Sequence, residues 1–118
     1  MNLLVLVMAC GVCLQDKVAA TYDHAVVTRA LEQHRVVVFA EPRATVDAAL
    51  LSKAVASAAA RTPGVDPATV RTNASPASLS FVLDPRRAQP AEALASIRKS
   101  ANVKGLELDL LEVRRPPR

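Results

Sequence analysis

Leu3-Leu4-Val5-Leu6-Val7-Met8-Ala9-Cys10-Gly11-Val12-Cys13 is the stretch on which the fold assignment turns, because it joins an apolar run to the only two cysteines of the 118-residue chain. Read as a core strand over Asn2–Met8, the run delivers Cys10 and Cys13 to a strand-to-helix loop containing Gly11. Read as a secretion signal, it leaves with residues 1–20, and the exported remainder has no cysteine. Leu3 to Leu14 has the length of a signal's apolar segment, yet no Lys or Arg precedes it. A lipidated leader would modify Cys10, and Met8 fits that pattern poorly. Retention of the run makes the chain cytoplasmic.

The rest of the chain supplies partners for such a strand. Leu14, Val18 and Tyr22 recur at helical spacing, with Gln15, Asp16 and Lys17 between them, which predicts a short amphipathic helix over about 11–22. Ala25–Leu31 and Arg35–Ala40 are rich in β-branched residues and flank the polar Glu32-Gln33-His34, a pattern expected of a hairpin. Val46, Leu50, Leu51, Ala54, Val55 and Ala58 keep a helical period that Thr62-Pro63-Gly64 ends. A second hairpin is expected across Ser75-Pro76, from Ala68–Asn73 to Leu79–Asp84, the latter with Leu79, Phe81 and Leu83 alternating. Pro90 opens a third helix carrying Leu94, Ile97 and Ala101, stopped at Asn102–Gly105. Leu106, Leu108 and Leu110 then alternate with Glu107 and Asp109 in a last strand.

An internal repeat underlies this order. Ala25-Val26-Val27 through Glu41-Pro42-Arg43 aligns without gaps on Ala68-Thr69-Val70 through Asp84-Pro85-Arg86, and each acidic-Pro-Arg triplet is expected to end a strand and redirect the chain. Hairpins alternating with helices imply an α+β fold of the ferredoxin-like split βαββαβ kind, with the helices on one face of an antiparallel sheet. Two frames compete, one over residues 2–73 and one over 35–113. The strand at 35–40 cannot serve both, since it has only two edges. The first is preferred, because the second leaves the expected 25–31 strand without its hairpin partner. It gives a unit at 1–74, a β-α-β extension of the same sheet at 75–113, and a basic tail at 114–118.

Composition narrows the function classes. The chain is 51% hydrophobic but 3% aromatic, with no Trp, one Tyr and two Phe, so it has few platforms on which bases stack. The net charge is +4, but basic residues are scattered except in Arg114-Arg115-Pro116-Pro117-Arg118, which reads as a solvated, proline-stiffened tail. No nucleic-acid partner is expected. Nor is a membrane span, since the apolar run gives way to Gln15-Asp16-Lys17 short of the roughly 18 residues needed. No glycine-rich phosphate loop and no nucleophile elbow is present, so no enzyme activity is expected.

Thiolates are soft donors, and C-x-x-C brings two sulfurs within reach of one Cu(I), Zn(II), Cd(II) or Hg(II) ion. At a helix start, Cys13 would have its thiolate favoured by free backbone N–H groups. The same spacing serves a thiol-disulfide pair, although the aromatic-and-proline setting of thioredoxin-like sites is missing. It also suits two small core residues. Met8-x-Cys10-x-x-Cys13, following an apolar strand and opening a helix, resembles the heavy-metal-associated domain of copper chaperones and mercury-binding proteins, over about residues 2–73. That resemblance implies one soft metal ion, Cu(I) first among the choices, held by Cys10 and Cys13, with Met8 supporting the loop. It also implies a metal-donor or metal-acceptor protein as partner. Val7 stands where the family usually has Gly. His24 is the candidate third ligand, and His34 is expected to be solvated. A non-catalytic ferredoxin-like interaction module, with an exposed edge strand that would allow a homodimer, is the alternative.

Overall fold

The structure is a computed structural model that describes residues 14–117. Its centre is Val36-Val37-Val38-Phe39-Ala40, five consecutive buried residues in strand β1 (Val36–Arg43). An unbroken apolar run at two-residue periodicity needs cover on both faces of the sheet. The chain supplies it with helices α1 (Leu14–Ala19) and α2 (His24–Glu32) before β1, α3 (Ala48–Ala60) after it, and α4 (Pro90–Ala101) after the hairpin of β2 (Arg71–Ala74) and β3 (Ala77–Leu83). Strand β4 (Glu107–Arg114) closes the order.

The sheet runs β2-β3-β1-β4 with every neighbouring pair antiparallel. Each long connection therefore skips one strand: β1-α3-β2 passes over β3, and β3-α4-β4 passes over β1. On one face Val36, Val38 and Ala40 join Leu79, Phe81 and Leu83 beneath Leu51, Val55 and Ala58 of α3 and Ala93, Leu94 and Ile97 of α4. On the other, Val37, Phe39 and Val82 pack beneath Val18 of α1 and Val27 and Ala30 of α2.

The α+β class and antiparallel sheet agree with expectation, but the layering does not. Helices were expected on one face and cover both, because the alternate residues of β1 and β3 form a second apolar surface that α1 and α2 bury. Ala25–Leu31, expected as a strand, is the body of α2. Asp23 caps it by accepting from the Val26 N–H at 3.2 Å, and Val26, Val27, Ala30 and Leu31 form the helical stripe that packs on the sheet. The β-branched side chains of Val26, Val27 and Thr28 suit a strand, but burial of a stripe outweighs that preference. The expected hairpin turn is then the end of α2. His34 takes the left-handed conformation at φ 59, its N–H bonds Leu31 O at 3.1 Å, and the Arg35 N–H bonds Ala30 O at 2.9 Å. This is the Schellman arrangement that usually favours glycine.

With no strand at 25–31, the objection to the frame over residues 35–113 disappears, and the four strands occupy that frame. The strand expected over Asn2–Met8, and the beginning of the helix expected from Gly11, lie outside the described residues. The expected boundary at 74/75 falls in the turn of the β2–β3 hairpin, where Ala74 opposes Ala77. Arg114, assigned to a basic tail, is the last residue of β4 and opposes Val37.

Remaining elements follow their local chemistry. Asp47 caps α3 by accepting from Ala49 N at 3.1 Å and Leu50 N at 3.2 Å, and the chain turns away at Gly64 with φ 90, where a side chain would meet Leu83. Glu92 accepts from the Gln89 N–H at 2.8 Å to fasten the start of α4. Asn102, at φ 54, ends it. The two acidic-Pro-Arg triplets diverge. Asp84 follows the last residue of β3, whereas Glu41-Pro42-Arg43 lies within β1, beyond the last residue paired with β3 and paired with β4 alone. A proline is tolerated there because the strand is paired on one side only.

The face assignment separates two adjacent leucines. Leu51 is buried and Leu50 is 63% exposed, so Leu51→Ala is expected to lower unfolding free energy by about 2–5 kcal/mol and Leu50→Ala by less than about 0.5 kcal/mol. Urea unfolding of the two variants checks this, and similar losses would place the helix face wrongly.

Candidate functional site

Met8, Cys10 and Cys13 lie outside the described residues. Described are the helix residues from Leu14 onward and how they are held. Val18 inserts into the second-face core, Lys17 pairs with Glu41 of β1 at 2.9 Å in a largely buried setting, and Ser78 Oγ of β3 donates to Lys17 O at 2.7 Å. Ser80 Oγ donates to Thr21 O at 3.4 Å. Two strand hydroxyls thus receive carbonyls at the end of α1 that the helix itself leaves without partners. His24 is exposed at the start of α2, with Nδ1 3.3 Å from Tyr22 Oη and Nε2 3.5 Å from Thr28 Oγ1. Among the described residues no group of three or more His, Cys, Asp or Glu side chains is placed to hold a metal ion.

A different surface carries three of the ion pairs among the described residues. Strand β4 is at one end of the sheet, paired with β1 on one side and, among the described residues, with nothing on the other. A groove flanks it on each face. The first, of about 470 Å³, lies between β4 and α4, lined by Ala91, Leu94, Ala95, Leu108 and Leu110, with Arg98 and the Arg43 cluster at its rim. Leu110 is 50% exposed there. The second, of about 410 Å³, lies between β4 and α1 and is lined by Val18, Ala19 and Tyr22 with Glu112 and Arg114.

Charge along the strand is ordered. Near its start, Arg43 of β1 bonds Glu107 at 2.9 Å and Asp109 at 2.7 Å; the bond to Asp109 and the nearby carboxylates hold the guanidinium above its ordinary pKa. Near its end, Arg114 pairs with Glu112 and lies 5.0 Å from the centre of the Tyr22 ring, which stacks on Phe39 at 6.3 Å. The planar guanidinium, the phenol and the buried phenyl form a column from solvent to core. Between these ends the register slips opposite Phe39 and Ala40, so that Leu111 is the additional residue of a bulge.

Sequence reasoning placed Leu108 and Leu110 on a strand but did not identify the strand as an edge, and it assigned Arg114 to a tail. The signal available was the alternation continuing through Glu112-Val113-Arg114. Compared with protein-family models, with characterised proteins and with solved structures, the chain matches none.

Asp84 supplies a pH test outside this surface. Its carboxylate accepts from the Arg86 guanidinium at 3.3 Å and the Arg86 N–H at 3.0 Å, which hold its pKa below the ordinary carboxylate value. A lowered folded pKa contributes stability that is present above the unfolded value and is lost as pH falls through the lowered one. Replacing Arg86 with alanine should raise the Asp84 titration, followed by NMR, partway toward the ordinary carboxylate value, since the backbone N–H at position 86 remains. An unchanged titration would reassign the cause.

Proposed function

We propose that the chain is a non-catalytic interaction module of ferredoxin-like arrangement that takes an extended partner segment along the outer edge of β4. The ferredoxin-like reading is supported by the β2-β3-β1-β4 order and its two strand-skipping helical connections. The observation that carries the functional reading is an eight-residue edge strand with a groove on each face. An added strand gains main-chain hydrogen bonds from the edge and sends alternate side chains to opposite faces, where the two grooves receive them. Edges left open in soluble domains are usually short, charged or covered. This one carries charge on one face, and on the other Leu108 and Leu110 line a groove.

The test is selection from a displayed library of random decapeptides against dilute wild-type protein, followed by amide hydrogen exchange. Enriched peptides should slow exchange within residues 107–114 and lose binding to Leu110→Lys by about tenfold or more. Peptides that protect another surface, or no enrichment, would overturn the reading.

A second reading is soft-metal binding through Met8-x-Cys10-x-x-Cys13, with Cu(I) first among the candidate ions. One observation favours it: Leu14, next to Cys13 in sequence, belongs to α1, which is tied to the sheet through Lys17, Val18 and Ser78. Two thiolates suit a soft ion and leave room for a partner's incoming ligand, as metal transfer requires. Titration of the reduced chain with Cu(I) against a competing chelator should show one tight site that is lost when both cysteines are replaced by serine. Unchanged binding in that variant, or a native amino terminus beyond Cys13 by mass spectrometry, ends this reading and leaves the first intact.

A further inference from the structure

We infer that the segment taken by the β4 edge is the β4 of a second copy of this chain, paired antiparallel about a two-fold axis between Leu110 and Leu111. The inference rests on the strand-addition reading and names its partner. It starts from the charge order of the strand. Glu107 and Asp109 stand at one end and Arg114 at the other, so reversing the direction of a second copy sets acidic against basic end at both extremes. A symmetric pair needs such self-complementarity, because each residue meets its opposite number twice.

The register that pairs all eight residues sets Glu107 opposite Arg114 of the second copy, Leu108 opposite Val113 and Asp109 opposite Glu112. Face and chemistry agree at the three outer pairs of that register, while at the axis Leu110 lies on the α3–α4 side and Leu111 on the α1–α2 side, so the bulge leaves the central pair unmatched. Leu108 and Val113 both pack toward the α3–α4 side, so an apolar pair faces an apolar pair across the axis. Glu107 and Arg114 both fall on the opposite face by alternation along the strand, and Glu107 is 62% exposed, within reach of an added strand. Asp109 and Glu112 are like charges; within each chain Arg43 bonds Asp109 at 2.7 Å, as well as Glu107, and Arg114 bonds Glu112, so Arg114 is shared between Glu112 and the Glu107 it would face. Leu110, half-exposed beside the axis, would be covered. The result is one continuous sheet across both copies, with the grooves closed from the side.

The experiment uses the full reduced chain, so that Cys10 and Cys13 cannot link copies, in sedimentation equilibrium at low salt. Wild type is expected to show a concentration-dependent monomer–dimer equilibrium. Glu107→Arg alone places Arg against Arg, and Arg114→Glu alone places Glu against Glu; each should weaken association by about tenfold or more. Mixing these two single variants restores both opposed pairs, as does combining the substitutions in one chain, and should return association to within about threefold of wild type. Circular dichroism of each variant establishes that it is folded, and a variant that fails to fold is replaced by Leu110→Lys, which should also abolish the dimer.

A wild-type monomer throughout the accessible concentration range overturns the inference, as does a dimer indifferent to the charge reversals. If the monomer still binds selected decapeptides along residues 107–114, strand addition stands with a foreign partner and the dimer alone falls. Failure of both measurements removes both.

Discussion

The structure depends on the burial of β1 on every side. Its residues 36–40 are covered by α3 and α4 on one face and by α1 and α2 on the other, while β3 and β4 occupy its two edges. A strand so enclosed has no exposed backbone group along its paired length, and none of its side chains can turn outward without leaving a void. Neighbouring elements are positioned by what they must cover. Helices α3 and α4 arrive through the strand-skipping connections, and α1 and α2 are an addition at the amino-terminal side that the apolar second face requires.

That second face is more polar than the first, and the difference explains how it is sealed. The first is closed by aliphatic side chains and Phe81. The second includes Ser78 and Ser80 of β3, whose hydroxyls would be costly to bury without acceptors. They find them in the carbonyls of Lys17 and Thr21, at the place where α1 ends and has carbonyls to offer. The Lys17–Glu41 pair and the Arg114–Tyr22–Phe39 column border the same layer. The position of α1 is therefore specified by polar partners as well as by apolar area, and so is the start of the chain segment that follows the cysteines.

Among the described residues the arrangement leaves one long edge. Strand β2 is four residues long and partly polar, whereas β4 runs for eight and carries grooves on both faces. A bulge at Leu111 increases local twist and coincides with the centre of the strand, dividing an acidic beginning from an end that holds the Glu112–Arg114 pair. Arg43, reaching from β1 to Glu107 and Asp109, keeps the acidic end compatible with close approach of another chain. Recognition at this surface would be selective by direction and register, because main-chain hydrogen bonds alone distinguish little between extended segments.

Much of the local structure was legible in the residues. Helical periodicity and breakers located α3 and α4, the alternation of Leu79, Phe81 and Leu83 located β3, and the Ser75-Pro76 turn located its hairpin. The second helix was misread because Val26 and Val27 satisfy a strand's preference and a helix's stripe alike, and only the surface waiting at Val37, Phe39 and Val82 decides between them. From that one assignment followed the choice of frame, the number of covered faces and the identity of the edge strand. The sequence by itself determined the α+β class, the cysteine spacing and the ordered charges of Glu107 to Arg114. Which strand stood at the edge, and which grooves flanked it, only the tertiary structure decided, since an edge is defined by the absence of a neighbour and neighbours come from distant parts of the chain.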